Sequence, residues 1–362
     1  MSTHSIKQHK SHSQALDLLR FPLAIIIVTV HIFGRQLESF NIADAPILSF
    51  VISFINSFLR SQSVPIYFFI SGYVFFIGLE KWDMSKWSNK LHNRKNSLLV
   101  PYLIWNTILL IAILITHWNN GINYSTSSIL SCYWSYDGEL SGVAPTGAPI
   151  NYPLWFLRDL MVMVLITPVL FKLLKNKGEL LLIFFSILWL VHFWGYIDFY
   201  VPASALFFFS FGAYMSINGK NVVSEFRKVS KISAIGFGLL GIVHMYLCSN
   251  SYYELAKIIK PFIVFSGLFF AFNTSAWLLE KSYVKTNKFL SSASFFIYIT
   301  HSLILQSVYI VSWSIVHPNS DLIALSFYIL NIVFTILISL LLFYLMSKYT
   351  PNLLSFIAGR KK

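Results

Sequence analysis

Charged residues are scarce in this chain of 362 residues. Asp, Glu, Lys and Arg together make up 11% of the sequence, whereas hydrophobic residues make up 56%. Soluble domains carry about a quarter charged residues, so no soluble domain can be formed here. Cysteine is also rare, since Cys132 and Cys248 are the only two. They provide neither a metal-type spacing nor a disulfide framework, although a single bridge between them across the outer face stays open.

Acidic residues are the scarcest charged type, 14 against 27 Lys and Arg, which leaves a net charge of +13. Such an excess can indicate nucleic-acid binding. Here, however, the basic residues lie in short clusters between apolar runs, as the positive-inside rule for membrane proteins requires. The composition therefore predicts membrane lipids, and no nucleic acid, as the surroundings of the chain.

Ten apolar runs have the length of roughly 20 residues that a spanning helix needs. They lie at about 16–34, 47–79, 98–117, 153–174, 179–196, 199–217, 232–249, 258–280, 291–316 and 322–347. The second run contains Pro65 and is expected to be kinked or partly re-entrant. The sequence thus predicts an all-α integral membrane protein, a bundle of about ten transmembrane helices.

The connectors between these runs alternate in charge. If ten helices are correct, most of the 27 Lys and Arg residues lie on one side, and the long connector 118–152 on the other side has none. Both termini are then cytoplasmic and the chain lies in the bacterial inner membrane. The expected organisation is a cytoplasmic tail at 1–15, a membrane domain at 16–347 and a basic cytoplasmic tail at 348–362.

Two titratable side chains, Arg20 and His31, lie inside the first apolar run. Eleven positions apart, they share one face of a helix and are separated by roughly 16 Å along its axis. Charged or titratable groups inside a membrane span are costly and often functional. Each also has a simpler interpretation: Arg20 extends toward the headgroups and pairs with Asp17, and His31 is hydrogen-bonded to a neighbouring helix.

Other candidates lie near the basic side. Ser71 and Gly72 form a small pair, which permits close helix packing or the approach of a slim ligand. Arg94 and Lys95 precede Pro101, where the third helix enters the membrane. Positive-inside bias alone explains such a cluster, but Arg and Lys also match phosphate oxygens well.

A further group belongs to later helices. Arg158 and Asp159 follow Trp155 at the outer end of the fourth helix, where an Arg runs against the charge bias; a local ion pair is the alternative. His301 is expected near mid-membrane with Tyr298 one turn below, and a buried histidine there needs a partner. No cluster with metal-ligand spacing and no nucleophile elbow is present.

At these residues the chain resembles the membrane acyltransferase-3 family, whose members O-acylate sugars and other cell-envelope molecules. The matching motifs are Arg20 and His31 with ten residues between them, PIYFFISGYVFF at Pro65–Phe76, a basic cluster before Pro101, PLWFL at Pro153–Leu157, and the Ser294, Tyr298 and His301 pattern. Two features depart from the family. The basic cluster reads HNRKN, with fewer Arg than is common, and no extracytoplasmic hydrolase-like domain follows the helices.

The resemblance implies an acyl-CoA donor, most simply acetyl-CoA, an envelope polysaccharide or lipid-linked glycan as acceptor, and no metal. His31, with an unperturbed pKa near neutral, is the expected general base, supported by Arg20; a transient acyl-histidine is the variant. Donor contacts are expected from Ser71, Gly72, Arg94 and Lys95. Acceptor contacts are expected from Trp155, Arg158, Asp159, Tyr298 and His301, beside the 118–152 connector.

A transporter or flippase for an envelope lipid or polysaccharide is the competing function. A kinked helix and a polar pair in the membrane interior fit it equally. The sequence shows no internal repeat of the kind that many transporters have, which favours the acyltransferase.

Overall fold

A computed structural model describes residues 3–32, 45–79, 81–117, 125–135, 147–196 and 202–359, and the side chains from residue 14 onward. Within this part of the chain every regular element is a helix. The α-helices are α1 Thr3–His31, α2 Pro46–Phe54, α3 Ser61–Phe76, α4 Met84–Arg94, α5 Val100–His117, α6 Thr126–Ser131, α7 Trp155–Leu165, α8 Thr167–Phe193, α9 Ala203–Ile217, α10 Val222–Arg227, α11 Ser230–Ser249, α12 Tyr253–Glu280, α13 Lys288–Ile315, α14 Asp321–Tyr349 and α15 Pro351–Ile357.

Two π-helices join pairs of these elements. Ile55–Arg60 links α2 to α3, and Lys95–Leu99 links α4 to α5. Each precedes a proline, Pro65 or Pro101, which has no N–H and collides with the carbonyl four residues earlier in a regular helix. Widening the preceding turn relieves that conflict, so the kink expected in the second run takes the form of a π-helix.

Seven helical stretches in the described residues are long and apolar enough to cross a membrane. They are Gln14–His31, Pro46–Phe76, Met84–Thr116, Ser230–Ser249, Tyr253–Glu280, Lys288–Ile315 and Asp321–Tyr349. Tyr152–Leu165 and Thr167–Phe193 form an eighth span if the bent pair counts as one, and α9 is apolar but short. The predicted all-helical, multi-pass architecture is confirmed, whereas the count of ten is not.

The chain between 153 and 196 is divided differently from the sequence prediction. The break comes at Ile166, between α7 and α8, where the two helices bend by 66°. Pro168 explains this position, because it has no N–H with which to continue α7 but is tolerated in the first turn of α8, where an N–H needs no partner within the helix. A second irregularity, Lys177, lies inside α8, close to the gap expected between the two runs.

The helices place polar side chains inside and apolar side chains outside. On α14, Asn331, Thr335 and Ser339 recur every four residues and are buried. Leu337 and Leu341 on the same helix are more than half exposed. This inverted pattern is expected where the surrounding solvent is lipid and polar groups must find partners within the bundle.

Close contact between α3 and α9 organises one half of the bundle. A methyl group added at Gly72 would lie 2.0 Å from the carbonyl oxygen of Phe209, and one added at Gly212 would lie 2.0 Å from that of Phe69. The two glycines therefore let the helix backbones approach reciprocally, as small residues do in membrane helix pairs.

Candidate functional site

His31 and His301 form a stacked pair. Their ring centroids are 5.0 Å apart and their planes differ by 15°. His31 is the last residue of α1 and is half-buried, whereas His301, on α13, is fully buried. The ring of Tyr152 meets His31 edge-on at 6.2 Å. Two residues that the sequence analysis selected separately are thus brought together.

Backbone contacts fix the buried member of this pair. The Nδ1–H of His301 donates to the carbonyl of Tyr298 at 2.6 Å. Its Nε2 is buried and has no hydrogen-bond partner among the described residues. Tyr298 uses its own hydroxyl elsewhere, donating to the carbonyl of Pro153 at 2.5 Å. The tyrosine therefore ties α13 to the turn that precedes α7, and it orients His301 through its main chain.

His31 touches its neighbours by ring contact. No hydrogen bond from a described residue engages its ring nitrogens, so the simpler interpretation of a hydrogen bond to another helix does not describe this part of the structure. Two imidazolium rings stacked at 5.0 Å would repel each other, which limits the pair to one positive charge. A neutral imidazole with a free nitrogen is what a general base requires.

Arg20 precedes His31 by eleven residues on α1, and two neighbouring side chains hold it. Its guanidinium pairs with Asp17 at 3.0 Å, with both side chains more than a third exposed. Its carbonyl accepts a hydrogen bond of 2.8 Å from the hydroxyl of Tyr67 on α3. The ion pair with Asp17 that the simpler interpretation predicts is therefore present. Arg20 is also close enough to Arg94 for their charges to interact.

A cavity of about 310 Å³ lies beside this basic region. Its lining residues are Val74, Phe75, Lys90, Asn93, Arg94 and Ser97. Arg94 therefore faces the cavity, whereas Lys95 is exposed and does not line it. The Lys90 ammonium donates to the carbonyls of Phe75 and Ile77, where α3 ends. Lys90 belongs to the basic cluster that precedes Pro101 and lies one helical turn before Arg94 on α4, although it was not among the expected donor contacts.

Ser71 and Gly72 differ in their surroundings. Gly72 is closed off by Phe209, so helix packing accounts for it. Ser71 is partly exposed.

Arg158 fastens the outer segments to α7. Its Nε donates to Asp159 at 2.9 Å, and its NH1 donates to the carbonyls of Trp134 and Gly147 at 2.6 and 2.8 Å. The guanidinium also lies 5.4 Å from the centre of the Trp134 ring. The predicted ion pair with Asp159 is present, and the other contacts make Arg158 a link between two ends of the 118–152 connector. Trp155 packs 6.5 Å from Phe68.

Much of that connector lies outside the described residues, including Tyr124, Tyr136, Asp137 and Glu139. Tyr133, which is described, receives a hydrogen bond from Tyr102 on its carbonyl. No disulfide joins Cys132 to Cys248, so the bridge left open by the sequence is absent. No group of three metal-ligating side chains is found among the described residues.

Asn151 is a buried polar residue that the sequence analysis missed. Its backbone N–H donates to Asn106 Oδ1 at 3.1 Å, and its side-chain oxygen accepts from Ser302 Oγ at 2.9 Å. The amide nitrogen is buried with no partner among the described residues. Asn151 adjoins Tyr152 and Ser302 adjoins His301, so this polar network borders the histidine pair. The adjacent PLWFL motif was the available signal.

The fold and site define a multi-pass helical membrane protein with a histidine pair within its membrane spans and a basic cavity beside Arg94. The chain belongs to the acyltransferase-3 family: the family model described as an acyltransferase domain matches residues 13–344. The chain is 30% identical over 237 residues to the succinoglycan biosynthesis protein ExoH of Rhizobium meliloti (strain 1021), covering 64% of this chain and 61% of ExoH. No solved structure matches. The chain is thus a multi-pass helical member of an acyltransferase family.

Proposed function

We propose that this protein transfers an acyl group, most simply acetyl, from a cytoplasmic acyl-CoA to a hydroxyl of a cell-envelope saccharide. The position of His31 carries this proposal. It is half-buried, stacked on His301, and its ring nitrogens are free of hydrogen bonds from described residues. Family membership supplies the reaction class.

The donor would be held at the basic cavity. Arg94 lines it, Lys90 lies one turn away and Arg20 adds a second guanidinium nearby, so the phosphates of CoA would meet several cations. Lys95 would strengthen this field from the surface. Between the cavity and Arg20 the acyl arm would pass α3 near Ser71, and from Arg20 it must extend roughly 16 Å along α1 to reach His31. Gly72 would serve by keeping α3 against α9.

The reaction we propose at His31 is a direct transfer. The saccharide oxygen attacks the thioester carbonyl, and His31 takes the hydroxyl proton as the new C–O bond forms. The C–S bond then breaks, and the proton held by His31 passes to the departing sulfur. The products are an ester and free CoA. His301 would hold the His31 ring in place by stacking, and a transient acyl-histidine is the variant.

The acceptor is inferred from similarity and from topology. ExoH is named for succinoglycan biosynthesis, which supports an envelope polysaccharide or a lipid-linked glycan here. It would enter from the outer side past Trp155 and the residues that Arg158 and Asp159 hold in place, and reach the histidine pair beside Tyr298.

We also propose that the chain crosses the inner membrane ten times with both termini cytoplasmic. The irregularity at Lys177 supports this number, because the non-helical backbone there divides α8 within the gap, 175–178, between the fourth and fifth predicted runs. The clustering of basic residues in alternate connectors supports the orientation.

Replacement of His31 tests the function. We expect His31→Ala to lower acetyl-CoA consumption and ester formation by at least about a hundredfold, since general bases contribute roughly 10²–10⁴-fold. The measurements are release of CoA by the purified protein and mass spectrometry of envelope glycans from cells. The matched control is His317→Ala, which removes an exposed histidine. Near-normal activity of folded His31→Ala would contradict the mechanism, and wild-type protein that consumes no acyl-CoA would favour a transporter.

A further inference from the structure

Arg60 and Lys260 are two cations inside membrane spans that neither the proposed chemistry nor the donor cavity uses. Arg60 ends the π-helix in the middle of the span Pro46–Phe76, and it is exposed. Lys260 lies on α12 and is partly exposed. Charged side chains at such depth avoid lipid and face a water-filled cavity or a substrate path.

These two residues lie at the depth of His31. Tyr67 contacts Arg20, and α1 runs opposite to α3. Residues after Arg20 on α1 therefore lie at the depth of residues before Tyr67 on α3. At roughly 1.5 Å per residue, His31 and Arg60 differ in depth by about 6 Å. Gln62 packs against Gly267 and Phe69 against Phe272, so α3 and α12 run in the same direction. The same count places Lys260 within about 7 Å of Arg60 in depth.

Packing brings the three side chains toward one another across these helices. The π-helix Ile55–Arg60 contacts α1, α11 and α12. Ser57 on the π-helix joins His244 on α11 at 2.8 Å. The charge of Arg60 acts on both His31 and Lys260, and that of Lys260 acts on His244. The result is a cluster of basic groups around the outer side of His31.

No described carboxylate neutralises this cluster. Neither Arg60 nor Lys260 takes part in a salt bridge within the described residues. The Arg60 guanidinium donates one long hydrogen bond, of 3.4 Å, to the side-chain oxygen of Asn56. The acidic residues described on nearby helices are engaged elsewhere or lie at a helix end. Asp321 accepts from the N–H groups of Ile47 and Leu48 at the start of α2, and Glu254 lies in the first turn of α12.

We propose that Arg60 and Lys260 form a carboxylate-binding site beside His31, which selects a reactant bearing a negative charge. This rests on the proposed function, since it concerns what reaches the same histidine. An Arg and a Lys without an acidic partner match a carboxylate by charge and by hydrogen bonding. The carboxylate belongs either to an acidic sugar of the acceptor or to the free end of a dicarboxylic acyl group.

Binding titrations on the purified full-length protein distinguish these sources. One pair of probes is an oligosaccharide containing glucuronate and its counterpart containing glucose. The other is malonyl-CoA and acetyl-CoA, which differ by one carboxylate on the acyl group. In the wild type we expect the charged member of one pair to bind more tightly; that pair identifies the source.

Arg60→Gln and Lys260→Gln are each expected to weaken binding of that charged probe by about tenfold, the scale of one charged hydrogen bond, and to leave its neutral counterpart within twofold. Lys257→Gln is the matched control, because Lys257 lies one turn away on α12 and reaches Gly195. Lys260→Gln decides the question alone if Arg60→Gln does not fold.

Two outcomes overturn the site: no preference for the charged member of either pair, or equal weakening of both members by the variants. Because titration needs no turnover, the test also applies to His31→Ala protein. One outcome separates the two proposals: His31→Ala protein still prefers the carboxylate probe, and the wild type shows no acyl transfer. That outcome would contradict the proposed function but would support the carboxylate-binding site.

Discussion

At the scale of single residues, the site consists of groups whose neighbours determine what they can do. His31 and His301 are both imidazoles within membrane spans. The ring of His31 is half-buried and takes no hydrogen bond from a described residue, whereas His301 is fully buried and held through Nδ1. The same distinction separates Arg94, which lines a cavity, from Lys95 beside it, which does not. Adjacent residues of like charge can therefore be assigned different roles.

Arg94 and Lys95 provide a matched pair for testing the donor site. We expect Arg94→Gln to weaken binding of acetyl-CoA by about tenfold, because it removes a cation from the cavity wall. Lys95→Gln should have less than a threefold effect, since its charge acts only from the exposed surface. Titration of purified protein with a non-hydrolysable acetyl-CoA analogue measures both. Equal effects of the two substitutions would indicate that this cluster only sets the orientation of the chain in the membrane.

Residue identity predicted part of this site and missed part of it. Arg20 and His31 were recognisable because helical periodicity puts them on one face of a single apolar run. The stacking of His31 on His301 joins residues 270 positions apart and depends on how α1 and α13 pack, which no local pattern contains. Asn151 and Arg60 were missed for the same reason: each is ordinary in its own segment and becomes notable only through its neighbours.

At the scale of elements, helix contacts in this protein depend on small residues and on caps from distant helices. Gly72 and Gly212 allow α3 to meet α9 backbone to backbone. Asp321, at the start of α14, accepts hydrogen bonds from the first N–H groups of α2, and a carboxylate at a helix N-terminus is favourable. These contacts place α3, which carries Tyr67, and the π-helix that carries Arg60.

Substitution of Gly72 tests the α3–α9 contact. We expect Gly72→Ala to destabilise the protein by about 1–3 kcal/mol, because the added methyl group overlaps the carbonyl of Phe209 and forces the helices apart. Gly238→Ala is the control: nothing lies within 4 Å of a methyl group there, and Ala is favoured over Gly in helices by roughly 0.5–1 kcal/mol. Thermal unfolding in detergent gives both values. Equal stability of the two variants would show that the close approach is dispensable.

The helices themselves were the most predictable level of the structure. Long apolar runs identified α12, α13 and α14 closely, because lipid requires continuous backbone hydrogen bonding over a fixed length. In contrast, α1 begins at Thr3, inside the segment predicted as a tail. The region 153–196 was harder, since its apolar character continues through a bend and hydropathy does not register backbone direction. Pro168 was the local signal for that bend.

At the scale of the whole molecule, one polar path is proposed to join two sides of a membrane. The basic cavity at Arg94 lies near Arg20, whereas Arg60 and Lys260 lie nearer the depth of His31. Under this arrangement the donor and acceptor would approach the histidine from opposite sides and would not compete for one entrance.

The two ends of α13 test this orientation. In a chain whose own cysteines are replaced by serine, Asn319→Cys is expected to react with a membrane-impermeant maleimide on intact cells. Lys285→Cys should react only after permeabilisation, because basic connectors face the cytoplasm. Both positions are exposed, so access to the reagent differs only through the membrane. The opposite labelling pattern would invert the topology and exchange the donor and acceptor sides.

The π-helix Ile55–Arg60 makes the length of the chain in this segment as important as its composition. A π turn contains about one residue more than an α turn, and each residue rotates a helix by roughly 100°. Deleting one residue here would restore a regular helix, but it would also swing Gly72 away from α9 and Tyr67 away from Arg20. A single substitution in Ile55–Arg60 therefore keeps the rotation of α3 relative to α2. A change in the number of residues alters that rotation.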